Sequence, residues 1–320
     1  MSSDRLPGGV VLDPAAADLI EAMHTPPTLR DMGPHDGRLA LREAQRASID
    51  WPGTAAQFHT AEVGPSGLVG FWIVRPIGMQ VPLPAVLYLH GGRWMFGDAD
   101  THAAIIGEFA LRCQVAVVVP EYTRTPEARY PVALEECYAT LQWVHANAGS
   151  LGLDAQRFAI AGDCSGATLA IAVTMVTKSR GGPRLRGLLV YYPPTDALCR
   201  SQSHRTFASG YVISSAEQAW HWDQYCDEDV QSPTVSPLYA THDDLAGLPP
   251  TMVVTAEADV VRDEGADFAV KLRRAGVEVT AVRYLGAVHD FVVLTQLADS
   301  PPTRAALAQG AQFLVEVLSR

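Results

Sequence analysis

The stretch AIAGDCSGATLA (residues 159–170) carries an apolar run straight into G-x-C-x-G and from there into a helical pattern. In a strand–turn–helix of this kind the glycines let neighbouring backbone approach. The middle residue is forced onto a sharp, strained turn with its side chain standing at the helix N-terminus. Here that residue is Cys164, between Gly162 and Gly166, and the nearest serine, Ser165, comes one position late. A one-residue shift at such a turn points a side chain elsewhere, so Ser165 is not expected to be the nucleophile. Its backbone N–H, however, falls where a donor to a developing oxyanion is needed. A thiol at the turn is chemically apt, because the helix dipole and a nearby imidazole both favour thiolate, the better nucleophile. The bland alternative for Cys164 is a small residue buried in a strand–helix turn.

A turn like this needs a buried sheet behind it, and the rest of the chain supplies one. Short apolar runs occur at AVLYLH (85–90), VAVVVP (115–120), RFAIAG (157–162), GLLVYYP (187–193), TMVVTA (251–256) and EVTAVRY (278–284). Their continuous Val/Ile/Leu character suits strands buried on both faces, as in a parallel sheet covered by helices. Helical patterns at ALEECYATLQWVHANA, GATLAIAVTMVTKSR and DEGADFAVKLRRAG supply crossovers, and TRAALAQGAQFLVEVLSR closes the chain. Ahead of these, QFHTAEV and LVGFWIVRP read as strands, the second alternating as an antiparallel strand does. Residues 1–50 hold two amphipathic helical patterns, PAAADLIEAM and GRLALREAQRA, broken by HTPPTLRDMGPHD. An aromatic-rich helical insert, YVISSAEQAWHWDQYC, interrupts the rhythm within 197–240. The expected fold class is α/β: a mostly parallel, doubly wound sheet built from 51–196 and 241–320. A helical cap from 1–50 and 197–240 is expected over the strand C-terminal ends.

Three further segments carry chemistry. LYLHGGRWMFGD places His90, Gly91 and Gly92 at the end of a buried strand, where glycine-rich backbone aims N–H groups at a developing negative charge. Asp259, in TAEADVVRDEG, follows a buried strand and suits a carboxylate that orients a histidine, although Glu257, Asp263 and Glu264 lie close by. His289, in YLGAVHDF, is one of ten histidines and follows the next strand, where it would serve as base.

Taken together, HGGRW, PEYTRTPEARYPVALEECYATLQWV, GDCSGATLA, SPLYA, TAEADVVRDEG and YLGAVHDF make the chain resemble the hormone-sensitive-lipase-like family of α/β-hydrolase esterases across residues 70–295. The resemblance implies an α/β-hydrolase fold and cofactor-free ester hydrolysis through an acyl-enzyme. It assigns Cys164 the nucleophile's position, His289 the base's and Asp259 the orienting acid's. The N–H groups of Gly92, Arg93 and Ser165 take the oxyanion positions. Three departures accompany it: the usual serine is Cys164, the third glycine of the oxyanion loop is Arg93, and the glycine after the histidine is Asp290. Arg93 and its neighbour Trp94 are expected to touch the substrate, with the guanidinium pinning a carboxylate or enolate. Asp290 would raise the His289 pKa or hold Arg93, or both groups would simply face solvent. Trp220, Trp222 and Tyr225 of the insert line an apolar pocket or pack the cap.

The reaction expected first is acyl transfer from esters, lactones or thioesters to water by a Cys-His-Asp triad. A lyase, cyclase or acyltransferase on the same fold stays open, as do a non-catalytic binding protein and a cysteine introduced where serine is native. Lys+Arg of 24 against Asp+Glu of 35 gives a net charge of −11, which argues against nucleic-acid and anionic-membrane partners. No basic and then apolar N-terminal segment is evident. The five cysteines, Cys113, Cys137, Cys164, Cys199 and Cys226, lack C-x-x-C spacing. They read as reduced thiols of a cytoplasmic protein without a metal site. The partner expected is a small-molecule substrate, and the resemblance leaves a homodimer through the last strand open.

Overall fold

The apolar runs form the strands β1 (Thr54–Ala61), β2 (Val69–Pro76), β3 (Leu83–Leu89), β4 (Ala116–Pro120), β5 (Leu153–Asp163), β6 (Leu185–Tyr191), β7 (Thr251–Ala258) and β8 (Val279–Val288). The computed structural model describes residues 8–23, 27–46, 52–79 and 82–320. The parts of the expected cap helices at 1–7, 24–26 and 47–50 therefore lie outside the described residues. The strands make one eight-stranded sheet in the order β1-β2-β4-β3-β5-β6-β7-β8. β1 and β2 join antiparallel, as does β2 to β4; every pairing from β4 to β8 is parallel.

Both faces of the sheet are buried at the central strands β3, β4, β6 and β7, which is why these read as unbroken apolar runs. On one face Leu87, Leu89, Ile160, Val190 and Val253 meet Leu141 of α4 (Val132–Ala146), Val173 of α5 (Cys164–Ser179) and Phe268 of α9 (Arg262–Arg274). On the other Val86, Tyr88, Ala161, Leu189 and Val254 share a buried cluster with Phe109 of α3 (Ala103–Cys113) and Leu314 of α10 (Pro301–Ser319), which Ile20 of α1 (Pro14–Met23) joins beside β8.

Two differences from the sequence reading have local causes. The second N-terminal helix, α2 (Leu29–Ala44), starts inside the segment read as a breaker, because Thr28 and Asp31 form a capping box. The Gly33–Pro34 pair inside it makes a kink, with Gly33 at φ 75, rather than an end. Strand β8 runs on past Tyr284 to Val288, carried by Gly286 in left-handed backbone.

The helices outside the sheet layers are tied to loops at the strand C-terminal ends. Arg38 of α2 donates to the carbonyls of Met95 (2.8 Å) and Thr125 (2.9 Å), and it pairs with Glu127. From the insert, Ser203 of α6 (Gln202–Thr206) donates to the Val260 carbonyl at 2.6 Å, and His204 meets the buried Glu264 at 3.0 Å. Helix α7 (Ser215–Tyr225) begins with a Ser214–Glu217 capping box and packs Trp222 and Tyr225 against Trp94. A short helix, α8 (His242–Leu245), leads back into β7. Among the described residues no helix is long and apolar enough to cross a membrane.

Where strand β3 passes the glycines of the β5–α5 turn, backbone lies directly against backbone. A Cβ on Gly166 would lie 2.0 Å from the Leu89 carbonyl oxygen, and one on Gly162 would lie 2.4 Å from that of Gly166. Gly166→Ala is therefore expected to cost on the order of 3 kcal/mol and lower the melting temperature by several degrees. Gly149→Ala, where nothing lies within 4 Å of the added carbon, should leave it nearly unchanged. Calorimetry of the two variants checks this.

Candidate active site

Parallel strands deliver their C-terminal ends to one edge, so the residues that follow β3, β5, β6, β7 and β8 emerge side by side: His90, Cys164, Tyr192, Asp259 and His289. Ala258 of β7 pairs with Val288 of β8, which makes Asp259 and His289 the next residues on adjacent strands. Their side chains meet at 2.8 Å, Asp259 Oδ2 to His289 Nδ1. The other carboxylate oxygen accepts the Val261 N–H at 3.1 Å, which fixes the group's orientation. A carboxylate only accepts, so Nδ1 carries the ring proton and, in the neutral imidazole, Nε2 is left as the base. Nε2 lies 3.1 Å from Cys164 Sγ. All three residues are buried.

Burial is the largest influence on His289 and by itself would lower its pKa. The carboxylates of Asp259 and Asp290, together with Cys164, outweigh it and hold the imidazole well above its usual value. A proton leaving the thiol thus has a ready place to reside.

Cys164 sits at φ 48, the left-handed backbone expected of the middle residue at such a turn and worth about 1–2 kcal/mol of strain in a non-glycine residue. The residue before it, Asp163, stands at the N-cap position of α5 but does not cap it. Its carboxylate turns inward and accepts from Tyr88 Oη (2.6 Å) and the Gly91 N–H (2.9 Å), with buried His102 at 3.4 Å. The Ser165 hydroxyl accepts the Trp94 N–H at 3.0 Å. Ser165 therefore ties the glycine loop to the turn with its side chain, while its own N–H belongs to the first turn of α5, whose amides lack helical partners.

The loop itself runs through left-handed backbone at Gly92 (φ 104), Arg93 (φ 57) and Trp94 (φ 58). Among the described residues, no protein acceptor takes the N–H of Gly92 or Arg93. The Trp94–Ser165 bond holds this loop beside the β5–α5 turn.

The two charged departures meet each other. Arg93 Nη2 lies 3.4 Å from Asp290 Oδ2, both side chains mostly buried at 12% and 16% exposure, which sets aside the reading that they face solvent. Asp290, itself at φ 61, also places Oδ1 3.5 Å from His289 Nε2. Trp94 does not stand open: its ring is buried, 4.4 Å from Tyr225 and 4.3 Å from Trp222. Trp222 and Tyr225 thus pack on the loop, while Trp220 lies beneath the Arg30 guanidinium.

Reading the sequence missed Asp163, His102 and Tyr192, whose ring centre lies 4.8 Å from that of His289. The signal for Asp163 was its place beside the strained turn; His102 and Tyr192 gave none. The donor atoms of Cys164, His289 and Asp290 all lie within 4.8 Å of one another, a set able to hold a metal ion. An ion held there would occupy the thiol rather than assist it. All five cysteines are unpaired, and burial pushes the Cys113 thiol up to about 12.

Comparisons with known proteins bear on the family and the fold. A family model described as the alpha/beta hydrolase fold matches residues 86–293. Carboxylesterase NlhH of Mycobacterium tuberculosis is 32% identical over 289 residues, 88% of this chain and 89% of its own. An ethyl acetate hydrolase of Pseudomonas putida is 32% identical over 241 residues, 74% of this chain and 73% of its own. The crystal structure of a thermostable esterase from Pseudomonas putida superposes with a TM-score of 0.93 at 34% identity, covering 96% of this chain and 98% of that one.

The electrostatics give a direct prediction. Asp290→Asn removes a negative charge that favours the imidazolium, so His289 should titrate at a lower pH than in the unaltered protein. An imidazole NMR titration of both proteins checks the sign.

Proposed function

Because the chain belongs to the α/β-hydrolase-fold family, among the hormone-sensitive-lipase-like carboxylic ester hydrolases, we propose that it works through a covalent acyl-enzyme on Cys164. The observation that carries this reading is the continuous chain from Asp259 through His289 to Cys164 Sγ, with contacts of 2.8 and 3.1 Å.

His289 takes the thiol proton at Nε2, and the thiolate attacks the carbonyl of a small ester, lactone or thioester. Negative charge on the carbonyl oxygen is received by the N–H groups of Gly92, Arg93 and Ser165, each donor being worth about 2.7–4 kcal/mol in such sites. The imidazolium then gives its proton to the departing alcohol or thiol. Water, deprotonated by Nε2, attacks the thioester, and the acid leaves as the thiol is restored. Asp259 holds the ring and stabilises its charge throughout. No step calls on a cofactor.

A second reading, acyl transfer to an acceptor other than water, uses the same residues. Asp290 Oδ1, 3.5 Å from Nε2, favours the proton staying on His289, which leaves less neutral base for deacylation whether the acceptor is water or an alcohol. The substrate is a small molecule in either case, and the helices at α1, α2, α6 and α7 act as the cap over it.

Cys164→Ala should lower turnover of short-chain esters by at least about 10⁴-fold, as loss of a nucleophile does elsewhere. Asp259→Asn should lower it by roughly 10⁴-fold with the fold intact, since the ring then loses its enforced tautomer. Steady-state rates of the two variants check both, and near-wild-type turnover by Cys164→Ala would remove the covalent mechanism. Adding a primary alcohol as a competing acceptor and measuring the ratio of new ester to free acid separates transfer from hydrolysis.

A further inference from the structure

Buried side-chain polar atoms without a protein partner are concentrated where α7 lies on the oxyanion loop. Both amide atoms of Gln218, Nδ1 of His221 and Nε of Arg93 are all in this state. Gln218 and His221 are only 1% and 2% exposed, so bulk water does not reach them. They share the inner face of α7 with Trp222 and Tyr225, at helical spacing, and those two rings pack directly on Trp94. His221 also meets Phe96 of the loop edge-on at 5.8 Å. Folded proteins rarely leave both ends of a buried amide unused, so such groups mark a place where something else supplies the bonds.

From this geometry we infer that Arg93, Gln218 and His221 form a polar subsite for an uncharged hydrogen-bonding group, an amide by preference, carried on the non-reacting part of the ester. The inference rests on the ester-cleaving reading above and names the substrate class of that same site.

Charge decides between the candidates. Arg93 is already paired with Asp290, so it offers a substrate carboxylate no uncompensated charge, and the Arg30 guanidinium lies over the Trp220 ring. Burial, then the charges of Arg93 and Arg30, keep His221 well below its usual pKa and hence neutral. An alkyl group would leave both ends of the Gln218 amide unpaired. An amide offers N–H to Gln218 Oε1 and accepts from Gln218 Nε2 or Arg93 Nε, matching the free atoms of these two side chains by type.

The experiment uses two matched ester series. In the first the acyl part varies: the ethyl esters of glutaramic acid, glutaric acid and isoheptanoic acid present an amide, a carboxylate and an alkyl group of one shape. In the second the alcohol varies: the acetates of γ-hydroxybutyramide, γ-hydroxybutyrate and isohexanol. In one series kcat/KM for the amide should exceed both partners by at least about tenfold, since sites built to bond a polar group reject analogues lacking it. Gln218→Leu should bring that ratio near unity, and Gln218→Glu, which keeps the shape and polarity of the site, should also reduce it.

Equal rates across both series, a preference for the carboxylate or alkyl ester, or an amide preference that survives both substitutions would overturn the subsite. Equal rates are also what ordered water in this space would give. If no ester in either series is cleaved, the ester-cleaving reading itself falls and this inference with it, whereas cleavage without preference sinks the subsite alone.

Discussion

The close approach of β3 to the β5–α5 turn is the contact on which the site depends. At Gly166 a side chain would collide with the Leu89 carbonyl oxygen, so only glycine lets these two pieces of backbone touch. That proximity puts the glycine loop after β3 within reach of the turn. Asp163 then accepts the Gly91 N–H, and the Ser165 hydroxyl accepts the Trp94 N–H. These two bonds tie the loop's backbone to the turn that carries Cys164.

A second layer of the site is electrostatic. Arg93 and Asp290 both occupy left-handed backbone and face each other. Each carries a conformational cost that glycine would avoid, although aspartate tolerates the left-handed region better than most. Their pairing leaves the pocket with little uncompensated charge, while Asp290 adds a second carboxylate beside His289. The imidazole therefore lies between two acids and a thiol, and all three raise its affinity for a proton. A thiol nucleophile suits such an imidazole, because the proton it gives up is strongly held.

Much of this was legible in the chain. The strands were, because burial on both faces writes itself as uninterrupted Val, Ile and Leu, and Cys164, Asp259 and His289 each follow the end of such a run. Helix α3 was not singled out, although Glu108 and Arg112 of AAIIGEFALRC stand one turn apart on its outer face and pair there. The start of α2 was hidden by Gly33 and Pro34, which read as an end and act as a kink. Contacts between distant segments left no trace in the sequence: the Arg93–Asp290 pair was offered only as one alternative, and the pairing of Ser165 with the Trp94 amide not at all. The expected contact of Trp94 with substrate met a ring already packed on Trp222 and Tyr225. Gln218 and His221 were passed over in the aromatic-rich insert, because only the finished packing shows that nothing in the protein bonds their buried atoms.

The central claim is that the thiol of Cys164, and no hydroxyl near it, carries the acyl group. Turnover of a short-chain ester quenched in acid, followed by intact mass and peptide mapping, tests this most directly. The account predicts a single acyl increment on the tryptic peptide FAIAGDCSGATLAIAVTMVTK, located at Cys164 and absent from the alanine variant. An increment located at Ser165 or outside this peptide, or turnover with no increment at any time point under conditions where deacylation is slow, would contradict it.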